Sequence, residues 1–441
     1  MHLLIIILLV AALYLGRDGS TFCTLSADVR LVCTVAGMGL ILTFARMICT
    51  TVAIAIDRNP SDLKRWLKRF QFLRRCHTAI WFTVTALVIF GLDWPQLVRG
   101  EWGLASSFLI DDLLIMLPVL LPLFLSWNTF YSVHRATQIA RARINGRPPV
   151  ISRRSSFVGV QFRHYLGLII APLLIVLACY DTVQNFAAPL GKSWQTACEL
   201  MCLLVCILTF PAILGLVWRT TPLPAGPLRD RLGQVGEAMG VKIRKIMIWQ
   251  SENMITNAAV TGLLPTRRYV YLSDGMLSRM DDDQIVAVYA HELAHARNRH
   301  VSLRLTALLA GGAVWQASLN CTQLTQGLGF AYNTILLTLV AVGLLAVFAI
   351  YCRALELQAD LCASAGGRTE AIATALLRLK SLAGDGEHGW LHPTVDRRVA
   401  MIRTAAQYPA IAVQFHRRLA HIAAVWILIV LLGVAWWWLP A

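Results

Sequence analysis

DDDQIVAVYAHELAHARNRHVS, residues 281–302, is the stretch on which the reading of this chain turns. Asp281 stands as a helix N-cap with Gln284 at the capping-box position, and Asp282 and Asp283 favour the positive helix end. Ile285, Val288, His291, Glu292 and His295 then share one helical stripe. His291-Glu292-Leu293-Ala294-His295 fits H-E-x-x-H, in which two histidines one turn apart hold a zinc ion with an open coordination position. The adjacent Glu292 is the expected general base toward a water at that position. Only three positions of the five are fixed, so the surroundings must decide whether the pattern is chemistry.

Those surroundings are apolar. Of 441 residues, 57% are hydrophobic and 15% charged, which excludes an ordinary soluble domain and fits a multi-spanning membrane protein. The net charge of +16 lies in loops between apolar runs, so topology and anionic lipid headgroups account for it and no nucleic acid is expected as a partner. There are eleven Cys and no C-x-x-C. Cys198, Cys202 and Cys206 read as small apolar residues on one helix face, and nothing resembles a secreted disulfide framework.

Nine candidate spans lie near 2–16, 31–56, 78–98, 104–130, 165–188, 195–218, 303–320, 331–352 and 420–439. The first lacks a basic leader and a clear cleavage site and reads as a retained anchor. Residues 57–77 and 131–163 each carry seven Lys or Arg, while 99–103 holds only Arg99 and Glu101 and the loop at 321–330 is uncharged. The positive-inside rule makes both basic loops cytoplasmic. Alternation brings 219–302 and 353–419 to the same side. Asp111, Asp112 and Glu199 fall within spans, where ionisable residues are costly, and are candidates for a polar chamber.

Before the metal motif, residues 221–227 (TPLPAGP) read as a linker. Leu228, Leu232, Val235 and Met239 have helical spacing, and Lys245–Trp249 and Val270–Leu272 are strand-like. Two histidines do not complete a catalytic zinc site, which usually has three protein ligands. His300 follows His291 by nine residues, but the intervening Ala296-Arg297-Asn298-Arg299 has no glycine to swing it onto the metal. It reads as an ordinary polar residue near the membrane. Glu356 is the better candidate: two spans, out and back, return it to the membrane face of the HELAH helix. Asp360, one turn later, can orient a ligand histidine. Taken alone, E-x-x-x-D is a common solvated surface.

At this point the sequence resembles the integral-membrane gluzincin metallopeptidases, the group of HtpX and the CAAX prenyl endopeptidases. Asn257-Ala258-Ala259, Ser273-Asp274-Gly275-Met276-Leu277, HELAH, the Glu356/Asp360 pair with Ala359, and His392-Pro393 with Arg398 carry the likeness over about 221–402. The resemblance implies that Asn257, Ala258 and Ala259 form an edge strand pairing with substrate backbone. It implies that His392 stabilises the oxyanion, with Arg398 supporting it. Nearby His388 lacks the following Pro. The expected fold is mainly α: about six spans (1–218), catalytic segments at 219–302 and 353–419 forming a cytoplasm-facing zincin-like α+β unit, a transmembrane hairpin (303–352) and a C-terminal helix (420–441). The expected function is a zinc metalloendopeptidase of the cell inner membrane or an equivalent. His291, His295 and Glu356 hold one Zn²⁺ per chain, and peptides or membrane proteins are substrates, in quality control or peptide processing. The alternatives are processing of prenylated C-termini, a protease-domain signal transducer or a silent scaffold.

Overall fold

The long apolar runs fold mainly as helix in the computed structural model, with 104–109 left outside the helix that begins at Ile110; it describes residues 2–14, 23–186, 191–324, 330–383 and 390–438. Residues 325–329 of the uncharged loop, and His388, lie outside the described residues. The chain divides into two units, Met1–Trp218 and Arg219–Ala441.

The first unit contains α1 (His2–Tyr14), α2 (Ala27–Arg58), α3 (Leu63–Ala86), α4 (Ile110–Ile144), α5 (Arg154–Phe186) and α6 (Lys192–Val217). Of these, α2, α4, α5 and α6 are long and apolar enough to cross a membrane. The segment Pro60–Gly91, which contains α3, joins them if its continuation Trp94–Glu101, bent away by 53°, belongs to the same span. Helix α1, with 13 residues, reaches roughly 20 Å and falls short of a hydrocarbon core of about 30 Å.

Helix α4 carries Pro118 and Pro122 in its interior. Proline has no N–H to give the carbonyl four residues back, so Pro118 frees that of Leu114. The Trp94 indole N–H donates to this carbonyl at 3.1 Å. A membrane helix tolerates such a break when the freed carbonyl finds another donor, here a side chain from a neighbouring segment. Asp111 and Asp112 are tied to Arg99, which donates to them at 2.9 and 2.8 Å and to the Leu13 carbonyl at 3.0 Å. All three side chains are buried, so they form a compensated ionic cluster joining α1, α4 and the segment before α4. Glu199 accepts from Gln184 at an exposed position.

The second unit begins as a four-stranded mixed sheet: β1 (Thr220–Pro222), β2 (Lys245–Trp249), β3 (Ala258–Thr261) and β4 (Tyr269–Ser273), in the order β1-β2-β4-β3. The expected linker 221–227 therefore starts inside an edge strand, a place in a sheet that accepts proline. Central β4 buries Val270, Tyr271 and Leu272 in succession, which is why it reads as a continuous apolar run. Around the sheet lie α7 (Pro227–Ala238), α8 (Asp282–Arg297), α11 (Thr369–Ala383) and α12 (Val395–Gln407). The helices α9 (His300–Leu324), α10 (Phe330–Ser364) and α13 (Pro409–Trp438) complete the unit.

One core joins Leu232 of α7, Val270 and Leu272 of β4, Ile285 and Leu293 of α8, Ile372 and Leu376 of α11, and Val399 and Ile402 of α12. Each such side chain, fully buried, stabilises the fold by about 1.5–3 kcal/mol. Helices α10 and α13 are long and apolar enough to span, making six among the described residues, or seven with the bent pair. Helix α9 has the length, at 25 residues, but Arg304, Gln316 and Asn320 dilute its apolar character and it is not among the six.

Candidate metal centre

The HELAH histidines are set by the start of their helix. Asp281 accepts from the Gln284 N–H at 2.8 Å and Gln284 returns the bond to the Asp281 N–H, so the expected capping box forms. Ala290 and Ala294 of α8, and Ala359 and Ala363 of α10, have no solvent exposure. Small side chains at those four positions let the two helices approach closely, and this brings the α10 carboxylates within reach of the histidines.

There His291, His295 and Glu356, all buried, offer ligand atoms within 4.8 Å of one another. The two Nε2 atoms are 3.1 Å apart. Glu356 Oε2 is 3.5 Å from His291 Nε2 and Oε1 is 3.5 Å from His295 Nε2. Ligands at 2.0–2.1 Å around a tetrahedral ion are separated by about 3.4 Å, so two imidazole nitrogens and a carboxylate at this spacing fit zinc. The fit is one of donor type and spacing.

The next layer of contacts orients these donors. Asp360 accepts from His291 Nδ1 at 2.9 Å, leaving Nε2 as the free donor atom. Arg398 grips Asp360 with two bonds of 2.7 Å. Arg398, expected to support His392, thus bonds to the carboxylate behind His291, and both residues line the same cavity. His392, more than half exposed, lies 3.1 Å from Glu356 Oε2, at the mouth of the site. Arg304 donates to Glu356 Oε1 at 2.7 Å. Sequence reasoning passed over it, although an arginine inside an apolar run is itself a signal.

His300 is also corrected. Far from being an ordinary polar residue near the membrane, it has no solvent exposure and lies 2.7 Å from His295, ring nitrogen to ring nitrogen. The turn that returns it passes through Arg299 at φ 56°, a left-handed conformation reached without glycine.

Glu292 accepts from the Val260 N–H at 2.9 Å, which ties it to β3. Burial raises the Glu292 carboxyl above its ordinary range, against the opposing pull of His291 and the Val260 N–H. Burial disfavours charge on His291 as well, but its bonds to Asp360 and Glu356 win and lift it to about 9. Burial, with His291 beside it, holds His295 well below its usual value. Zinc and protons compete for these nitrogens.

The edge strand is positioned by the Ser-Asp-Gly-Met run. Ser273 caps the turn at 274–277 by accepting from the Met276 N–H, and its hydroxyl also accepts from the Asn257 N–H at 2.9 Å. Asp274 accepts from the N–H groups of Ser251 and Asn253. A Cβ on Gly275 would lie 2.2 Å from the Ile255 carbonyl oxygen, so only glycine lets this turn pack against the loop before β3. The Ser273 N–H donates to the Asn257 carbonyl. In an antiparallel ladder successive residues alternate, so Asn257, Ala259 and Thr261 turn their main chain to β4. Ala258 and Val260 turn theirs to the free edge. Of the expected trio Asn257, Ala258 and Ala259, only Ala258 presents its main chain outward, and Val260 joins it.

A cavity joins these parts. Ala258 and Val260 line one side, His291, Glu292, Glu356 and His392 the metal end, and Met276, Val288, Ile372 and Leu376 an apolar wall.

Comparison with known proteins adds to this geometry. Residues 222–406 match the family model of peptidase family M48. The chain is 26% identical over 233 residues to a CAAX prenyl protease 1 homolog of Arabidopsis thaliana, covering 49% of this chain and 54% of that protein. It is 31% identical over 140 residues to a Protease HtpX homolog of Desulfatibacillum aliphaticivorans, covering 29% and 45%. The chain thus spans about half the length of these curated relatives. The crystal structure of S. mikatae Ste24p has a similar fold, with a TM-score of 0.51 at 16% identity over 83% of this chain and 99% of that one. With its helices long and apolar enough to span a bilayer, the chain is an integral membrane protein.

Proposed function

We propose that this chain, whose residues 222–406 match the family model of peptidase family M48, is a membrane-embedded zinc metalloendopeptidase. The observation that carries the reading is the convergence of His291, His295 and Glu356 at zinc spacing, beside a half-buried Glu292 tied to a free sheet edge. Zinc, when bound, supplies Lewis acidity: it polarises a carbonyl and brings water's pKa down to about 7. The protein does the rest. An extended peptide adds to β3 through the outward main-chain groups of Ala258 and the Val260 carbonyl. Glu292 takes the proton of the attacking water and delivers it to the leaving amine. His392, at the mouth of the site, donates to the developing oxyanion, a contribution of roughly 3 kcal/mol. Asp360 and Arg398 hold His291 in register.

Glu292→Ala in detergent-purified protein tests the reading: one zinc per chain is retained while cleavage of a casein-type substrate is lost. Cleavage at the wild-type rate would sink it. Glu356→Ala lowers zinc content as well. We place the site on the cytoplasmic face of the cell inner membrane or an equivalent, on the strength of the basic loops 57–77 and 131–163. Protease accessibility of a tag at Ala383 in oriented vesicles checks that side. The natural role is cleavage of membrane proteins in quality control or of peptides. Processing of prenylated C-termini is the second reading, favoured by the likeness to CAAX prenyl protease 1 homologs. A prenylated peptide cleaved much faster than its unprenylated twin selects it.

A further inference from the structure

The two histidines of the centre are oriented by unlike devices. His291 faces Asp360, an anion backed by Arg398. His295 faces His300, at 2.7 Å between Nδ1 atoms, and His300 Nε2 lies 3.0 Å from the Gln358 carbonyl oxygen. We propose that His300 and Gln358 form a neutral relay that fixes the tautomer of His295 and so sets how tightly it holds zinc. The inference rests on the metalloprotease reading above.

The argument is one of proton counting. Two imidazole nitrogens in contact share one proton, so the chain of bonds runs in one of two directions. In the first, His295 Nδ1–H donates to His300 Nδ1, and His300 Nε2–H donates to Gln358. This leaves a lone pair on His295 Nε2, the atom facing His291 Nε2 and Glu356. In the second, His300 donates to His295. The proton of a neutral His295 then sits on Nε2, where it blocks the metal. Gln358, presenting its carbonyl oxygen to the ring, selects the first direction.

The surroundings supply no competing partner in bulk water. His300 has no solvent exposure and Gln358 is buried. Gln358 lies on α10 between Glu356 and Asp360, so one helix provides a metal ligand, the carboxylate that orients His291 and the far end of the relay that reaches His295 through His300. The left-handed Arg299 immediately precedes His300. A non-glycine residue there costs about 1–2 kcal/mol, and the surrounding structure must hold it in place. Its effect is to fold His300 back onto His295.

The test compares zinc affinity, by competition with a chelator of known affinity, in the full-length detergent-purified protein. Thermal midpoints of the metal-free proteins are read alongside. Gln358→Met and His300→Phe keep bulk and remove the relay atoms; each weakens zinc about 10–100-fold. His300→Asn places an acceptor near the former Nδ1 position and recovers most of that loss. Gln358→Glu is an acceptor only, enforces the same direction and holds zinc at least as tightly as the wild type. A purely packing role predicts the reverse order, with the apolar variants benign and the buried carboxylate of Gln358→Glu harmful. Loss of zinc in Gln358→Glu equal to that in Gln358→Met, or wild-type affinity in both apolar variants, overturns the relay. Wild-type protein that binds no zinc overturns the metalloprotease reading itself. One zinc in the wild type with indifferent variants overturns the relay alone.

Discussion

Replacing Asp360 by Leu should separate two jobs that one carboxylate performs. Asp360 has no solvent exposure, accepts two 2.7 Å bonds from Arg398 and lies 2.9 Å from His291 Nδ1. Leucine is close in volume and accepts nothing. The Arg398 side chain, only 12% exposed, is left as a desolvated charge without its partner. Breaking such a buried pair from one side costs about 3–5 kcal/mol. For a unit the size of Arg219–Ala441, each kcal/mol moves the thermal midpoint by about 2–4 °C, so Asp360→Leu should fall by roughly 6–20 °C. Zinc affinity should fall about 10–100-fold, because His291 loses the acceptor that fixes its tautomer.

The double variant Asp360→Leu/Arg398→Met then decides between the two effects. Replacing both members of a buried ion pair by apolar groups is often neutral, so the thermal midpoint should return most of the way to the wild type. Zinc affinity should stay low, since nothing has been restored to His291. Scanning fluorimetry and chelator competition read the two quantities on the same samples. Wild-type zinc affinity in the double variant would refute the reasoning: Asp360 would then serve only to neutralise Arg398. An unshifted midpoint in the single variant would refute the claim that Arg398 is desolvated.

Three further outcomes follow from single contacts. Val260→Pro deletes the N–H that binds Glu292 while leaving the β3–β4 ladder intact, because that N–H points away from β4; a bond to a charged group is worth about 1.5–3 kcal/mol, so kcat/KM should drop roughly tenfold to a hundredfold with zinc content unchanged. Gly275→Ala forces the turn against the Ile255 carbonyl, and should destabilise the protein by about 1–3 kcal/mol and raise KM for peptides as β3 shifts; a thermal midpoint equal to the wild type would contradict it. Arg299→Gly relieves a left-handed residue at φ 56°, and should raise stability by about 0.5–1 kcal/mol after glycine's own entropic cost, read as a higher thermal midpoint.

What was legible in the sequence is what a single element states about itself. The period of α8, its capping box and the apolar run of β4 depend on neighbours along the chain, and those neighbours are printed side by side. Glu356 was legible one step further, because a helical hairpin has few places to return to. Contacts made by main-chain groups or across close-packed helices were not. No residue type at 260 signals that its N–H binds Glu292. Arg398 carries no mark choosing Asp360 over His392, and that choice follows from how near α10 lies to α8, a distance set by four buried alanines.

His300 shows why an absent signal misleads. A glycine-free turn argued against a returning chain, since glycine is the residue that enters the left-handed region without strain. The turn forms anyway, through Arg299, because what it gains lies elsewhere: a buried imidazole set between His295 and Gln358. Local propensity is worth about 1–2 kcal/mol at one residue, and the hydrogen bonds and packing of three buried groups exceed it. A local rule broken beside a reactive centre is therefore a reason to look for the long-range contact that outweighs it.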